Sequence, residues 1–266
     1  MFPLLPASVV LSVCLSAQPA PAPLPAEPTP AEKAWQLGQL AMQRDRFEEA
    51  ITRFRQCLQL DPKQVEAHLS LAAAHLAVGQ DRQAVPHMAA YLKARPAHCQ
   101  VRLPFAEVLL RLDETDAAQV QIERFVAAIQ DQPPLAGEHL VGCHTRLMEI
   151  AERQGDEYAE RLHRGIGLYL LAVKRLELGG DEARRTAEEL LCKAAAELTL
   201  ARMTRPGEAR PCWYLHEVWT RLGQRQPAVK WLRMAEQGAD FSDLTPTEQR
   251  ELHLAGRMEA AERSHK

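Results

Sequence analysis

Apolar residues recur at three- and four-residue spacing along most of this chain, interrupted by short polar breaks. Ala34, Leu37, Gly38 and Ala41 form one such series, Arg44 to Arg46 break it, and Phe47, Ala50, Ile51, Phe54 and Leu58 form the next. That spacing predicts two amphipathic helices joined by a tight turn. The pattern then repeats every 34 residues: Ala31 to Gln64, Val65 to His98 and Cys99 to Gln132 align without gaps. Leu37, Leu71 and Phe105 share one position, and Gly38, Ala72 and Ala106 the next. Ala50, Ala84 and Ala118 follow, then Phe54, Met88 and Ile122, then Leu58, Leu92 and Val126. Pro62 and Pro96 close the first two units, with Gln130 at that place in the third. Small residues at Gly38 and Ala50 are expected to let two helix backbones approach, with Leu37 and Phe54 filling the space beside them. A pair of short helices cannot bury its apolar face alone, so this period predicts a stack of units rather than one closed globule.

Trp35-Gln36-Leu37-Gly38, Phe47-Glu48-Glu49-Ala50-Ile51 and Leu60-Asp61-Pro62 resemble the tetratricopeptide repeat. A further copy lies near the C-terminus, where Leu215, Gly223, Ala228, Leu232 and Ala235 stand as Leu37, Asp45, Ala50, Phe54 and Cys57 do. His216 replaces the small residue at Gly38, and Tyr91 and Phe125 stand where a small residue is usual, which suggests locally wider helix spacing. The resemblance implies an all-α, right-handed superhelical solenoid of helix pairs. It also implies a concave groove lined by the first helix of each unit. By register, Trp35, Gln39, Met42 and Gln43 belong to it from the first unit, and Leu69, Ala73 and Leu76 from the second. Leu103, Glu107, Leu110 and Arg111 follow from the third, and Trp213, Glu217, Thr220 and Arg221 from the last. Trp35, Leu69, Leu103 and Trp213 would form an apolar line along it; the alternative is that Trp35 and Trp213 simply cover neighbouring helices. The Lys, Asn and Arg set with which family members hold a C-terminal carboxylate is missing, which disfavours a binder of chaperone tails.

The middle of the chain fits the repeat less well. Glu138 to Gln154 has the spacing of a first helix, with Leu140, Leu147, Ile150 and Ala151 on one face and a Gly155-Asp156 break behind. Two long helices are expected next, Tyr158 to Leu178 and one capped by Asp181 that reaches Met203, separated by Gly179-Gly180. Thr204 to Pro211 reads as a loop. Thr245-Pro246-Thr247-Glu248 reads as a helix start, with Thr at the cap, Pro first and Glu third. That terminal helix should run to Arg263 and shield the last repeat, its polar face carrying Glu248, Arg250, Arg257 and Glu262. The expected organisation is a signal peptide over 1–17, a Pro/Ala-rich linker over 18–30, and three repeat units over 31–132. Degenerate repeats over 133–204, a last unit over 205–240, and a capping helix and tail over 241–266 complete it.

The N-terminus is of a different kind. Met1 to Leu15 is apolar and uncharged, too short to span a bilayer comfortably, and small residues follow. It resembles a secretory signal peptide, although no Lys or Arg precedes Lys33 and Pro3 and Pro6 interrupt it. Export to a periplasmic or extracellular compartment is the expectation, with membrane retention and a cytoplasmic chain as alternatives and no transmembrane helix in the mature chain. Six prolines between Gln18 and Pro30 make a stiff extended linker.

Composition narrows the function classes. A formal net charge of -3 lacks the basic excess that a nucleic-acid binder needs, so no nucleic-acid partner is expected. Runs such as Arg184-Arg185 and Glu188-Glu189 read as solvated helix faces. Cys57 occupies a small core position, and the spacings of Cys99, Cys143, Cys192 and Cys212 match no zinc pattern. Disulfide pairing among them stays open.

Catalytic motifs are absent from the sequence. Cys143-His144 with nearby His139 is a cluster, but adjacent residues on a helix point about 100° apart and cannot act together unaided. His68 and His75 lie on one helical face and would share a metal only with help from a neighbouring helix. No Gly-x-Ser-x-Gly, phosphate-binding loop or His-Glu-x-x-His occurs. No cofactor or metal is expected. The sequence is therefore read as a noncatalytic protein-interaction scaffold whose partner is a protein or peptide. The alternative is an assembly or regulatory subunit that binds one fixed enzyme through the central helices, and the third is an enzyme with an unrecognised site there.

Overall fold

The computed structural model describes residues 27–238, 241 and 243–264. The expected signal peptide and residues 18–26 of the expected linker lie outside the described residues. Among the described residues the chain forms twelve α-helices and no strand. The first three pairs are α1 (Pro30–Gln43) with α2 (Phe47–Leu60), α3 (Val65–Ala77) with α4 (Asp81–Ala94), and α5 (Arg102–Arg111) with α6 (Thr115–Ile129). Then come α7 (Pro133–Gln154), α8 (Glu157–Leu178) and α9 (Asp181–Thr204), and after them α10 (Arg210–Arg221), α11 (Arg225–Glu236) and α12 (Pro246–Ser264). Each helix packs against the one before and the one after it, the contact order of a solenoid.

The local rules behind these elements are visible. Thr29 caps α1: its hydroxyl accepts from the Glu32 amide at 3.2 Å while the Glu32 carboxylate accepts from the Thr29 amide at 2.7 Å, with Pro30 at the first helical position. Every turn inside a helix pair at the repeat position of Asp45 is left-handed, with φ of 56° at Asp45, 71° at Gly79, 62° at Asp113 and 70° at Gly223. Glycine adopts that conformation freely, and aspartate is among the side chains that tolerate it. Gly155, with φ of 71°, makes the same turn between α7 and α8, so the pairing continues into the middle of the chain. At Gly38 a Cβ would lie 2.5 Å from the Phe54 ring, which is why that position is small. Where His216 takes this place in the last unit, its ring bonds the Ala228 carbonyl at 3.1 Å instead.

A second interhelical contact recurs. His68 of α3 meets His87 of α4, Arg102 meets Gln121, and His144 of α7 meets His163 of α8, at 3.1, 2.9 and 3.1 Å and always nineteen residues apart. Different polar side chains thus fill one slot at the crossing of a first and second helix.

Three expectations are corrected. Leu37 does not fill the space beside Gly38 but is 46% exposed, whereas Leu71 and Phe105 at the same position are buried. In the later units that position packs against the preceding pair, and no helix precedes α1 among the described residues. Asp181 is the first helical residue of α9, not its cap; the cap residue is Gly180. Glu248 leaves the polar face of α12 and is 2% exposed.

The reason for the last correction is a buried network that closes the C-terminal half. The Glu248 carboxylate accepts from Arg210 Nη2 at 2.9 Å, Tyr214 Oη at 2.7 Å and Gln130 Nε2 at 3.3 Å. Its second oxygen accepts from the Thr245 amide at 2.8 Å, and the Thr245 hydroxyl caps the Glu248 amide at 3.3 Å. Thr247 and Arg250 bond Asp131, so the start of α12 is fixed to the end of α6, more than a hundred residues earlier. Burial opposes the Arg210 charge, but the Glu248 carboxylate outweighs it and holds the guanidinium protonated. Burial and the same carboxylate push the Tyr214 hydroxyl well up.

Two predictions follow from this packing. Glu248→Ala leaves Arg210 charged and buried without its partner, so it should cost about 3–5 kcal/mol. Arg210→Met with Glu248→Leu should recover most of that loss; urea unfolding in which Glu248→Ala matched wild type would show that the network does not hold α12. The second concerns pH. Burial lowers His163 to about 3 and His144 well below its ordinary value, so both stay neutral in the fold while the unfolded chain takes protons below about pH 6.5. Stability from these two is present above the unfolded value and is lost as pH falls through it. Between pH 7 and 5 His163 should cost about 2 kcal/mol, and His144 acts in the same sense. Asp243 works in the opposite sense, because burial raises it to about 6 and the fold then gains from its protonation. The urea midpoint should still fall markedly from pH 7 to 5, and a flat profile would contradict neutral burial of the pair.

Candidate functional site

The first helix of the third unit, α5, carries Leu103, Glu107 and Leu110 on its free side, and α7 lies opposite. Between them is a cavity of about 460 Å³. Its apolar lining comes from Leu103, Pro104 and Leu110 of α5, Ile122 and Phe125 of α6, and Cys143 of α7. Glu138, His139 and Arg146 of α7 and Glu107 of α5 stand around it. Arg146 Nη2 donates to Glu107 Oε1 at 2.9 Å across the gap, and both side chains are about half exposed. In water such a pair contributes about 0–1 kcal/mol and yields readily to a competing charge. The His139 ring meets the Phe125 ring edge to face, 5.6 Å between centroids. Burial raises the Cys143 thiol to about 11, which keeps it protonated and removes it as a nucleophile at neutral pH. Gly142 lies in the lining, and a Cβ there would meet nothing within 4 Å.

The residues expected in the groove divide into two groups. Trp35, Met42, Leu69, Leu76, Leu103 and Leu110 are half-buried, and Gln43, Ala73, Glu107 and Arg111 are exposed, on the first helices of three successive units. Gln39 Nε2 donates to Ser70 Oγ at 3.0 Å, tying α1 to α3. The Arg111 guanidinium is engaged by Asp81, at 2.6 and 3.0 Å, which lowers the Asp81 carboxyl through hydrogen bonding. The last unit departs from the expectation. Trp213 is 3% exposed and packs in the core with α8 and α9, so it does not continue an apolar line open to solvent. Tyr169 of α8 donates to Glu217 at 2.7 Å and accepts from Arg221 Nε at 3.1 Å, so the long helix occupies that side of α10, and of the four only Thr220 and Arg221 are exposed.

What the sequence reading missed is the contribution of α7. Glu138, Gly142 and Arg146 stand four residues apart, a stripe on the side of α7 away from Leu140 and Leu147, and that spacing was the available signal.

A second cavity, about 450 Å³, gathers ionisable side chains among α6, α7, α8 and the chain before α10 and α12. Most of these groups answer one another: His144 meets His163, Arg205 meets Asp156 at 2.8 Å, and Tyr158 donates to Asp243 at 3.2 Å. Asp243 Oδ1 has no hydrogen-bond partner among the described residues. Among the described residues no set of three or more His, Cys, Asp or Glu is gathered to hold a metal ion, and the cysteines at 57, 99, 143, 192 and 212 are free. No described helix is long and apolar enough to cross a membrane.

Comparison with known proteins agrees with the repeat pattern. A family model described as a TPR repeat matches residues 38–79, from the second half of α1 through the turn after α3. No curated protein matches the chain. Among solved structures, a tetratricopeptide repeat protein from Parabacteroides merdae is 13% identical with a TM-score of 0.42, covering 86% of this chain and 86% of that one. PilF from Pseudomonas aeruginosa is 16% identical with a TM-score of 0.38, covering 85% and 97%. MamA from Desulfovibrio magneticus is 16% identical with a TM-score of 0.35, covering 80% and 97%. Among the described residues the chain is an all-α stack of helix pairs, and its residues 38–79 match the tetratricopeptide repeat.

Proposed function

We propose that this protein is a noncatalytic interaction scaffold, and that it takes a protein or peptide segment in the cleft between α5 and α7. The observation that supports the reading most strongly is the cleft itself, an apolar floor of Leu103, Leu110, Ile122 and Phe125 under a rim of charged side chains. An apolar side chain of the partner would fill the floor, as interface anchors do. Glu107 and Arg146, already paired with each other, would exchange that pair for contacts to the partner's backbone or charges. The half-buried Trp35, Leu69 and Leu76 on the preceding first helices extend the surface towards the N-terminal end.

A second reading rests on the central helices. Helices α8 and α9, of 22 and 24 residues, are about 33 and 36 Å long against about 18 Å for the 12-residue α10 that follows, and residues 174–182 at their common tip are exposed, with Leu178 69% exposed. A dedicated enzyme partner would dock there rather than in the cleft.

The two readings separate in one experiment. Leu103→Ala removes an anchor from the cleft and should weaken capture of a partner by about 1–3 kcal/mol. Gly142→Leu projects a side chain into open space, so it should block the cleft while leaving the fold as stable as wild type or more so, since leucine is the better helix former. Titration of a partner recovered by cross-linking against both variants and Leu178→Ser tests this. Equal affinity for Leu103→Ala, Gly142→Leu and wild type, with loss in Leu178→Ser, would move the site to the tip.

A further inference from the structure

The slot at the crossing of α3 and α4 is filled by two imidazoles. Nδ1 of His68 and Nδ1 of His87 face each other at 3.1 Å, with ring centroids 5.3 Å apart and planes tilted by 33°. Facing ring nitrogens are satisfied either by one N–H donating to the other's lone pair or by two lone pairs converging on a cation. Both residues are only partly buried, so the pair is reached from solvent. Burial lowers both, His87 to about 4, which leaves the neutral form that ligates metals.

The neighbouring histidine points in the same direction. The His75 ring lies parallel to that of His87, within 3° and with centroids 6.0 Å apart. Its Nδ1 is paired with Gln80 Oε1 at 2.7 Å, so that nitrogen carries the proton and Nε2 keeps a lone pair. His75 is 1% exposed, and Nε2 has no hydrogen-bond partner among the described residues. A buried acceptor left unmatched is costly.

We propose that His68 and His87 form a binding site for a divalent transition metal of the imidazole-preferring class, with the two Nδ1 atoms as protein ligands and water completing the shell. Two imidazole nitrogens bound to one tetrahedral zinc lie about 3.3 Å apart, close to the spacing already present. The third imidazole, His75, is not placed as a ligand but leaves the surroundings rich in lone pairs. The charge of Arg55 on α2 disfavours a positive charge at His87 and so opposes the ion. The site lies in the second unit, apart from the cleft between α5 and α7, and does not depend on the function assigned to that cleft. The His144–His163 pair has the same 3.1 Å spacing but is 1% and 5% exposed, and the Arg210 charge beside both rings disfavours a further cation there.

Calorimetric titration of the full chain with Zn²⁺ tests the site, in a Cys192→Ser background that removes the one exposed thiol among the described residues. Saturation at one zinc per chain is expected. His68→Gln and His87→Gln should each weaken it by more than about tenfold with the helical circular dichroism unchanged. Arg55→Gln, a surface change that leaves both ligands in place, should tighten it. No saturable zinc binding, or equal affinity in wild type and both histidine variants, would overturn the proposal and leave the pair as a hydrogen bond. So would an unchanged affinity in Arg55→Gln, since the Arg55 charge could not then oppose the bound ion.

Discussion

A pair of short amphipathic helices has two apolar faces, and packing the helices against each other covers only one. Everything in this chain is arranged around the second face. Leu71 and Phe105 bury it against the preceding unit, whereas Leu37, with no helix before it among the described residues, is left open. At the far end α12 supplies the cover, and it is held by a charge rather than by further leucines. The Glu248 carboxylate collects Arg210, Tyr214 and Gln130 at one point. A carboxylate removed from water is favourable only when its oxygens are fully engaged, so those partners and the position of α12 specify one another. The contact also joins α12 to the end of α6, which breaks the rule that repeats touch only their neighbours. The segment from Gln130 to Glu248 is therefore a closed body, and the first three units stack upon it.

The helices of the first three units were legible in the sequence because their determinants are local. Ala84 and Ala118 are fully buried, as their register requires, and Asp45, Gly79 and Asp113 fall at the left-handed turn. Glu248 was misplaced for a physical reason. On its own helix it belongs to a polar stripe, and only Arg210, thirty-eight residues earlier, makes its burial tolerable. Trp213 failed likewise: its register position is correct, but Tyr169 and the long helix α8, which the repeat pattern does not contain, occupy the side where a groove would continue. Periodicity reports what a helix presents, and it is silent on which distant segment covers it.

The cleft between α5 and α7 sits where the regular array gives way to the closed body. Helix α5 has 10 residues and α7 has 22. A short first helix facing one twice its length cannot be matched side chain for side chain, and Gly142 removes bulk from the longer partner. The gap that results is lined by Leu103 and Phe125 rather than filled by them. Half of this site was readable, namely Leu103, Glu107 and Leu110; the half from α7 required knowing which helix came to stand opposite.

The slot shared by His68–His87, Arg102–Gln121 and His144–His163 separates geometry from chemistry. All three pairs bridge a first helix to a second at closely similar distances, so the slot itself is set by the crossing of two helices and tolerates any polar pair that reaches. Arginine and glutamine can meet in only one sense, guanidinium to carbonyl, and Arg102 gives a second N–H to the Pro96 carbonyl at 3.1 Å. Two histidines can exchange donor and acceptor roles, and each keeps a second nitrogen for another partner. Buried at His144 and His163, that versatility is spent on staying neutral within the core. Partly open at His68 and His87, the same geometry leaves ring nitrogens within reach of whatever the solvent carries. Burial, not spacing, decides which of the two identical contacts is only structural.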